Sequence, residues 1–272
     1  MSSLIYKYFG KHGVDVIERL ELKVTPPNQF NDVFEVTPRP STEPLSREAF
    51  DELIDSEAGQ NWLQETSAKS KKFRAGYASL GGDREKFYQF AVPLMPQVKQ
   101  SVCATLLDKI SERFGLICFC EDPRNLLMWS HYSEGHKGVV IGFDVSRLNL
   151  GVLIEPVTYV KQRIEITPPW RLVDRNLMRA MITSKSDMWA YEREHRAMLN
   201  LKQLTERPLG NGRIGHFVEI PPTSIVEVIF GFRSTTVKRM HDAFRKYGIR
   251  PALKHAKPHP TDFGLLLEDE DG

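Results

Sequence analysis

The sequence predicts an α+β protein with a mixed or antiparallel central sheet and a largely helical insert. Three observations predict it. Apolar runs of strand length (Phe114–Cys120, residues 139–143 and Ile225–Phe230) are scattered along the chain instead of alternating regularly with helices, as a doubly wound parallel sheet would require. The chain opens as strand, short helix, strand. Between about residues 45 and 112 the periodicity is mainly helical.

In order, Leu4–Phe9 has the length and apolar content of a short strand, and residues 13–20 have the spacing of a short amphipathic helix. A second strand over 21–25 stops at Pro26-Pro27, where neither a central strand nor a continued helix is comfortable. Three prolines mark 37–44 as a loop. The helical stretch 47–110 is interrupted at Gly81-Gly82 and at Pro93 and Pro96. Phe114–Cys120 is too short for a buried helix, so it is assigned as a strand ending at the turn Glu121-Asp122-Pro123. Leu126–Tyr132 suits a short helix, and Gly135-His136-Lys137-Gly138 leads into a strand over 139–143. A strand over 156–161, a helix over 172–181, strands over 215–220 and Ile225–Phe230, and a helix over 235–247 complete the pattern. One domain, 1–264, is expected, followed by an acidic, disordered tail, 265–272.

Composition narrows the function classes. The 272 residues carry a formal charge of +2, too close to neutral to argue for nucleic acid from composition alone. A basic stretch from Lys238 to Lys257 suits a solvated helix face better than a phosphate-binding stripe. No apolar run is long enough to span a bilayer, and the N-terminus lacks the pattern of a secretory signal, so no membrane is expected and the default location is the cytoplasm. Three cysteines, two of them in an apolar run, imply no disulfide framework.

The richest candidate segment is Trp189-Ala190-Tyr191-Glu192-Arg193-Glu194-His195-Arg196. On a strand, Glu192, Glu194 and Arg196 share one face. On a helix, Glu192 instead pairs with Arg196 as an ordinary i,i+4 ion pair. Spacing alone is compatible with both. Phe30-Asn31-Asp32-Val33-Phe34-Glu35 supplies capping side chains, and Asn125 to Tyr132 is rich in side chains with an apolar body and a polar tip. Cys118 and Cys120 with His131 and His136 are zinc-type donors, but Cys-x-Cys inside an apolar strand lacks the turn of a zinc knuckle, so no metal is expected. The chain has no Gly-x-Gly-x-x-Gly after its first strand, no Gly-Lys-Ser/Thr loop, no His-Glu-x-x-His and no Gly-x-Ser-x-Gly.

Taken together, Tyr6-Lys7-Tyr8, Phe30-Asn31-Asp32-x-Phe34-Glu35, Leu127-Met128-Trp129-Ser130-His131-Tyr132, His136-Lys137-Gly138 and Trp189-x-Tyr191-Glu192-x-Glu194-x-Arg196 resemble the bacterial family catalogued as domain of unknown function 2971. The resemblance runs from Tyr6 to about Gly231. Val33 stands where the family usually has proline, and His195 where an aromatic is common.

The layout is also similar to that of ADP-ribosyltransferases. That similarity implies an ADP-ribosyltransferase-like sheet, NAD as the substrate, and an unidentified protein or nucleic-acid acceptor. It also implies a toxin or phage-defence setting, in which an antitoxin or immunity protein would be a partner. By the same resemblance, Tyr6, Lys7 and Tyr8 fill the first NAD-contacting motif, Thr25 and Asn31 the second, and Glu192 and Glu194 the third, with Asp32, Trp129, Tyr132, Tyr191 and Arg196 as further contacts. Glu194 would stabilise the oxocarbenium-like centre through the ribose 2′-hydroxyl, and Glu192 would position or deprotonate the acceptor. Tyr8 or Trp129 would stack on a ring of NAD, and Arg196 or Lys7 would meet the pyrophosphate.

Two alternatives belong to other classes. One is a non-catalytic nucleotide-sensing or interaction module, in which Glu192, Glu194 and Arg196 form a structural ion-pair network. The other is a metal-dependent nuclease holding Mg²⁺ with Asp32, Glu35 and the glutamate pair.

Overall fold

The computed structural model describes residues 4–166, 175–210 and 212–270. The architecture is α+β, and its main sheet is mixed and mostly antiparallel. Where a single domain is expected from the sequence, the chain divides into two compact units: 1–31 with 110–161 and 185–272, and 32–109 with 162–184. The insert is therefore larger than the helical stretch alone. Its helices start at well-formed caps: Ser46, Ser56, Ser70 and Asp83 each accept a hydrogen bond from the backbone N–H three residues on. Phe50, Leu63, Phe73 and Phe87 form the core of that unit. Pro96 does not interrupt a helix, because it sits in the first turn of Met95–Arg113, where a missing N–H costs nothing. Short strands Arg39–Pro40 and Glu165–Ile166 pair in parallel within the expected 37–44 loop. Helix Arg175–Thr183 overlaps the expected 172–181 and runs two residues past it; the first residues of that range lie outside those described.

The first unit is built on eight strands in the order Leu265–Asp269, Ala252–Pro258, Ile225–Phe230, Val139–Asp144, Leu4–Phe9, Phe114–Cys120, Glu194–Asn200, Ile154–Pro156. Only Ile225–Phe230 with Ala252–Pro258 is a parallel pair within this sheet. Alternation along each strand sorts the side chains onto two faces. On one, Ile5, Ile117, Phe119, Ile141, Phe143, Ala197 and Val228 pack with helices Val14–Arg19 and Val237–Tyr247. Each large aliphatic or aromatic side chain buried there contributes roughly 1.5–3 kcal/mol. The same core takes Leu22 and Val24 from Glu21–Val24, a strand of a separate three-stranded sheet with Thr205–Gly210 and Arg213–Glu219.

The other face of the main sheet is mixed. It buries Tyr8, Cys120, Val140 and Ile229 against Met128 and Trp129 of helix Leu126–Tyr132, and it carries polar side chains toward the strand Glu194–Asn200. At the opposite edge, Leu265–Asp269 pairs along Ala252–Pro258 through five residue pairs. This stretch is a strand, not the expected disordered tail, because Leu265 and Leu267 pack on the sheet while its acidic residues lie beside Lys254, His255 and Lys257. Strands Thr205–Gly210, Ala252–Pro258 and Leu265–Asp269, and the short strands Arg39–Pro40, Glu165–Ile166 and Ser184–Ser186, have no counterpart in the sequence-based assignment. Among the described residues, no helix is long and apolar enough to cross a membrane.

Candidate functional site

The two glutamates do not lie on one strand. Glu192 closes the 3-10 helix Asp187–Glu192, and Arg193 adopts the left-handed conformation (φ 44°, ψ 52°). Glu194 then begins the strand Glu194–Asn200. The left-handed residue redirects the chain between them, and both carboxylates meet on the mixed face of the sheet at one cation. Lys185 Nζ donates to Glu192 Oε2 at 2.6 Å and to Glu194 Oε2 at 2.9 Å. Glu194 and Arg196, two apart on the strand, do share a face: Arg196 Nε donates to Glu194 Oε1 at 2.8 Å and Nη2 to Oε2 at 2.9 Å. The Cys118 thiol lies close enough to Glu194 to help lower its pKa, after the two cations. Glu192, Glu194 and Arg196 are 3 %, 4 % and 2 % exposed.

These contacts give the two carboxylates different characters. Burial pushes the Glu194 carboxyl up, but the Arg196 guanidinium and the Lys185 ammonium outweigh it and hold the group well below the usual carboxylate range. Its oxygens accept three hydrogen bonds, all from cations, which leaves little of a carboxylate's capacity. Its backbone is clamped as well, since Glu194 N–H donates to the Tyr159 hydroxyl and Glu194 O accepts from Val157 N–H. Glu192 is less saturated. One oxygen accepts from Lys185 and the other from the Tyr132 hydroxyl at 2.7 Å. The Asn31 side chain lies close enough to act on the Tyr132 hydroxyl.

Sheet register links this cluster to the N-terminal motif. Glu194 stands opposite Cys120, and Cys120 stands opposite Tyr6. Tyr6, Asn31, Tyr132, Tyr191, Glu192, Glu194 and Arg196 are thus brought to one region of the first unit. Around it, His131, Trp189 and Tyr191 form a partly exposed aromatic group: Trp189 and Tyr191 have ring centroids 6.0 Å apart, and the Tyr191 hydroxyl lies 3.3 Å from His131 Nδ1. Asn125 Nδ2 fixes this segment by donating to Tyr191 O at 2.7 Å.

Other expected contacts are placed elsewhere. Lys7 alternates to the opposite face from Tyr6 and Tyr8, and its Nζ donates to Cys118 O at 2.9 Å. Tyr8 is buried, with its hydroxyl on Asp122 O and its ring edge-on to Trp129. Trp129 is fully buried, donates its indole N–H to Pro123 O and stacks on His136, so it is a core residue and not an exposed platform. Thr25 bridges Leu116, four residues from Cys120 on that strand, roughly 13 Å along the ladder. Asp32 belongs to the second unit, where its carboxylate accepts from Phe34 N–H in a turn. Burial pushes the Cys120 thiol up to about 12 and the Cys118 thiol further, so both are protonated core-type cysteines. Among the described residues, no group of three or more His, Cys, Asp or Glu is placed to hold a metal ion.

Lys185 and Tyr159 were not foreseeable from the sequence. Lys185 stands in an unremarkable Ser-Lys-Ser, and only the fold shows that it is the common counter-ion of both glutamates.

Fold and site together define an α+β protein that carries a buried carboxylate–cation cluster on one face of a mostly antiparallel sheet. Residues 128–197 match the family described as "Protein of unknown function (DUF2971)", over the stretch that supplies Trp129, Tyr132, Lys185, Glu192, Glu194 and Arg196. This bears out the family resemblance carried by the motifs. No curated protein and no solved structure matches the chain.

Proposed function

We propose that the protein is an ADP-ribosyltransferase-like enzyme that cleaves NAD at the nicotinamide–ribose bond and transfers ADP-ribose to a protein or nucleic-acid acceptor, or to water. The observation that carries this reading is convergence. Tyr6, Asn31, Tyr132 and the Glu192–Glu194 pair come from segments separated by up to more than 180 residues, yet they meet on one sheet face. The opening strand, helix and second strand, followed late by an acidic pair whose strand is separated from the first by Phe114–Cys120 alone, also suit an ADP-ribosyltransferase-like layout.

The hydrogen bonding favours roles for the carboxylates opposite to those expected from the resemblance. Glu194 is nearly saturated by donors and is a fixed anion that organises Arg196 and Lys185. Glu192 retains acceptor capacity on both oxygens and is the group suited to a ribose hydroxyl. A ligand hydroxyl reaches it by taking the place of the Tyr132 hydroxyl, a like-for-like exchange, while the NAD pyrophosphate draws on the Lys185 ammonium. In the reaction, nicotinamide leaves with the electron pair of the glycosidic bond. The positive charge that develops on the ribose ring is stabilised by Glu192. The acceptor oxygen or nitrogen then bonds to the anomeric carbon and gives its proton to solvent or to Glu192.

The test is nicotinamide release from NAD by the purified protein. Wild type is expected to be active, Glu192→Gln to lose about 100-fold or more, and Glu194→Gln to lose activity together with stability. Absence of turnover across protein, RNA, DNA and water acceptors would overturn the enzyme. One observation favours a second reading, a non-catalytic nucleotide-binding module: the two glutamates and two cations are joined to one another in a buried ion-pair network. Calorimetric NAD binding without turnover, unchanged in Glu194→Gln, would decide for it.

A further inference from the structure

The row that joins Glu194 to Tyr6 continues. Tyr6 stands opposite Gly142, and Gly142 opposite Glu227, so five strands contribute one residue each: Glu194, Cys120, Tyr6, Gly142, Glu227. At about 4.8 Å between neighbouring strands, the two glutamates are roughly 19 Å apart along the row. Glu227 owes its position to a backbone irregularity. The register shifts between Ile225 and Glu227, leaving Val226 as the extra residue. Ile225 packs into the apolar core, and the shift turns Glu227 to the opposite, mixed face, a re-aiming that bulges commonly perform beside functional sites.

A second polar cluster results. Lys254 Nζ lies 2.6 Å from Glu227 Oε1, and the Glu227 carboxylate is close enough to the Tyr6 hydroxyl to help push its pKa up, after burial. Glycine at 142 makes the second contact possible. A Cβ there would stand 3.0 Å from the Tyr6 ring and 3.1 Å from Glu227 Cβ, in the path the ring takes across the strand. Glu227 is 7 % exposed within Ile-Val-Glu-Val-Ile-Phe, an otherwise wholly apolar strand. A buried ion pair contributes little stability over an apolar pair of the same volume, so packing alone does not account for a glutamate here.

The geometry points to a second subsite formed by Tyr6, Glu227 and Lys254, which binds the ribose hydroxyls of the adenosine half of a dinucleotide whose reacting half lies at Glu192. It rests on the proposed NAD chemistry and deepens it by naming where the far end of the substrate is held. A carboxylate accepting from the two hydroxyls of a ribose is a recurrent form of nucleotide recognition. Lys254 pairs with Glu227 and fixes its carboxylate in place, and Tyr6 offers both a hydroxyl and a flat ring.

The test is calorimetric titration of the full-length wild type, Glu227→Gln and Tyr6→Phe with NAD, AMP and nicotinamide mononucleotide. The subsite requires that Glu227→Gln weaken NAD and AMP at least tenfold and Tyr6→Phe several-fold, with the nicotinamide mononucleotide affinity unchanged in both. Should Glu227→Gln not fold, the Tyr6→Phe titration decides by the same criterion. Variants that bind NAD and AMP as wild type does would overturn the subsite and leave the proposed chemistry standing. Equal losses for both half-molecules would also overturn it, by showing a structural role. Wild type that binds none of the three would sink subsite and NAD chemistry together.

Discussion

Glu194 is held by Arg196 and Lys185, and the consequence is a strong asymmetry between removing one partner and removing the charge. Arg196→Met leaves a buried carboxylate without its bidentate partner, and urea unfolding is expected to show a loss of about 3–5 kcal/mol. The folded-state pKa of Glu194 is depressed from 4.5 to about 2. Its contribution is therefore fully present above the unfolded value and is lost as pH falls through the folded one. Unfolding measured between pH 6 and pH 2.5 is expected to show stability falling below about pH 4.5, with a shallower fall in Glu194→Gln; identical slopes would refute the assignment. At this scale the sequence was informative about identity and uninformative about direction. Tyr6, Glu192, Glu194 and Arg196 stand out in the chain, whereas Lys185 and Glu227 gain meaning only from what the fold brings to them. Trp129 and Tyr8 show the reverse: aromatic side chains with polar tips suit a pocket, but burial of both rings makes them core.

Two backbone irregularities aim the carboxylates, and neither has a strong sequence signal. Arg193 takes a positive φ without being glycine, and Val226 is the extra residue in a strand that looks uniformly apolar. Arg193→Gly is expected to be neutral or to stabilise by up to about 1 kcal/mol, while Arg193→Val should cost roughly 1–2 kcal/mol, both read by thermal unfolding. Gly142→Ala places a methyl against the Tyr6 ring and Glu227 Cβ and should cost about 1–3 kcal/mol, read by thermal unfolding. The elements themselves were largely legible. Leu4–Phe9, Phe114–Cys120, Leu126–Tyr132 and Ile225–Phe230 follow from apolar runs of the right length bounded by turn residues. Thr205–Gly210 and Ala252–Pro258 were not, because few of their side chains are buried and the apolar pattern is correspondingly weak.

At the scale of the molecule, the acidic end of the chain changes meaning. Leu265–Asp269 covers the edge of Ala252–Pro258, so deletion from Leu265 onward exposes the ladder groups of that strand. A truncated protein is expected to melt several degrees lower and to scatter light on concentration; a disordered tail would be removed without effect. Charge misled here, since Glu268 and Asp269 suggest a solvated tail while the leucines before them anchor a strand.

The transverse row carries a consequence for how such a protein tolerates change. Each member sits on a different strand, and only hydrogen-bond register holds them in line. One residue inserted within Leu4–Phe9 or Phe114–Cys120 would turn Tyr6 or Cys120 to the wrong side of the sheet and disperse the row. The long span between those strands, which includes most of the second unit, can lengthen by many residues at small entropic cost. Insertions and deletions should therefore accumulate in the connections and be nearly absent from five short strands, a pattern set by parity along the chain and not by the identity of any one side chain.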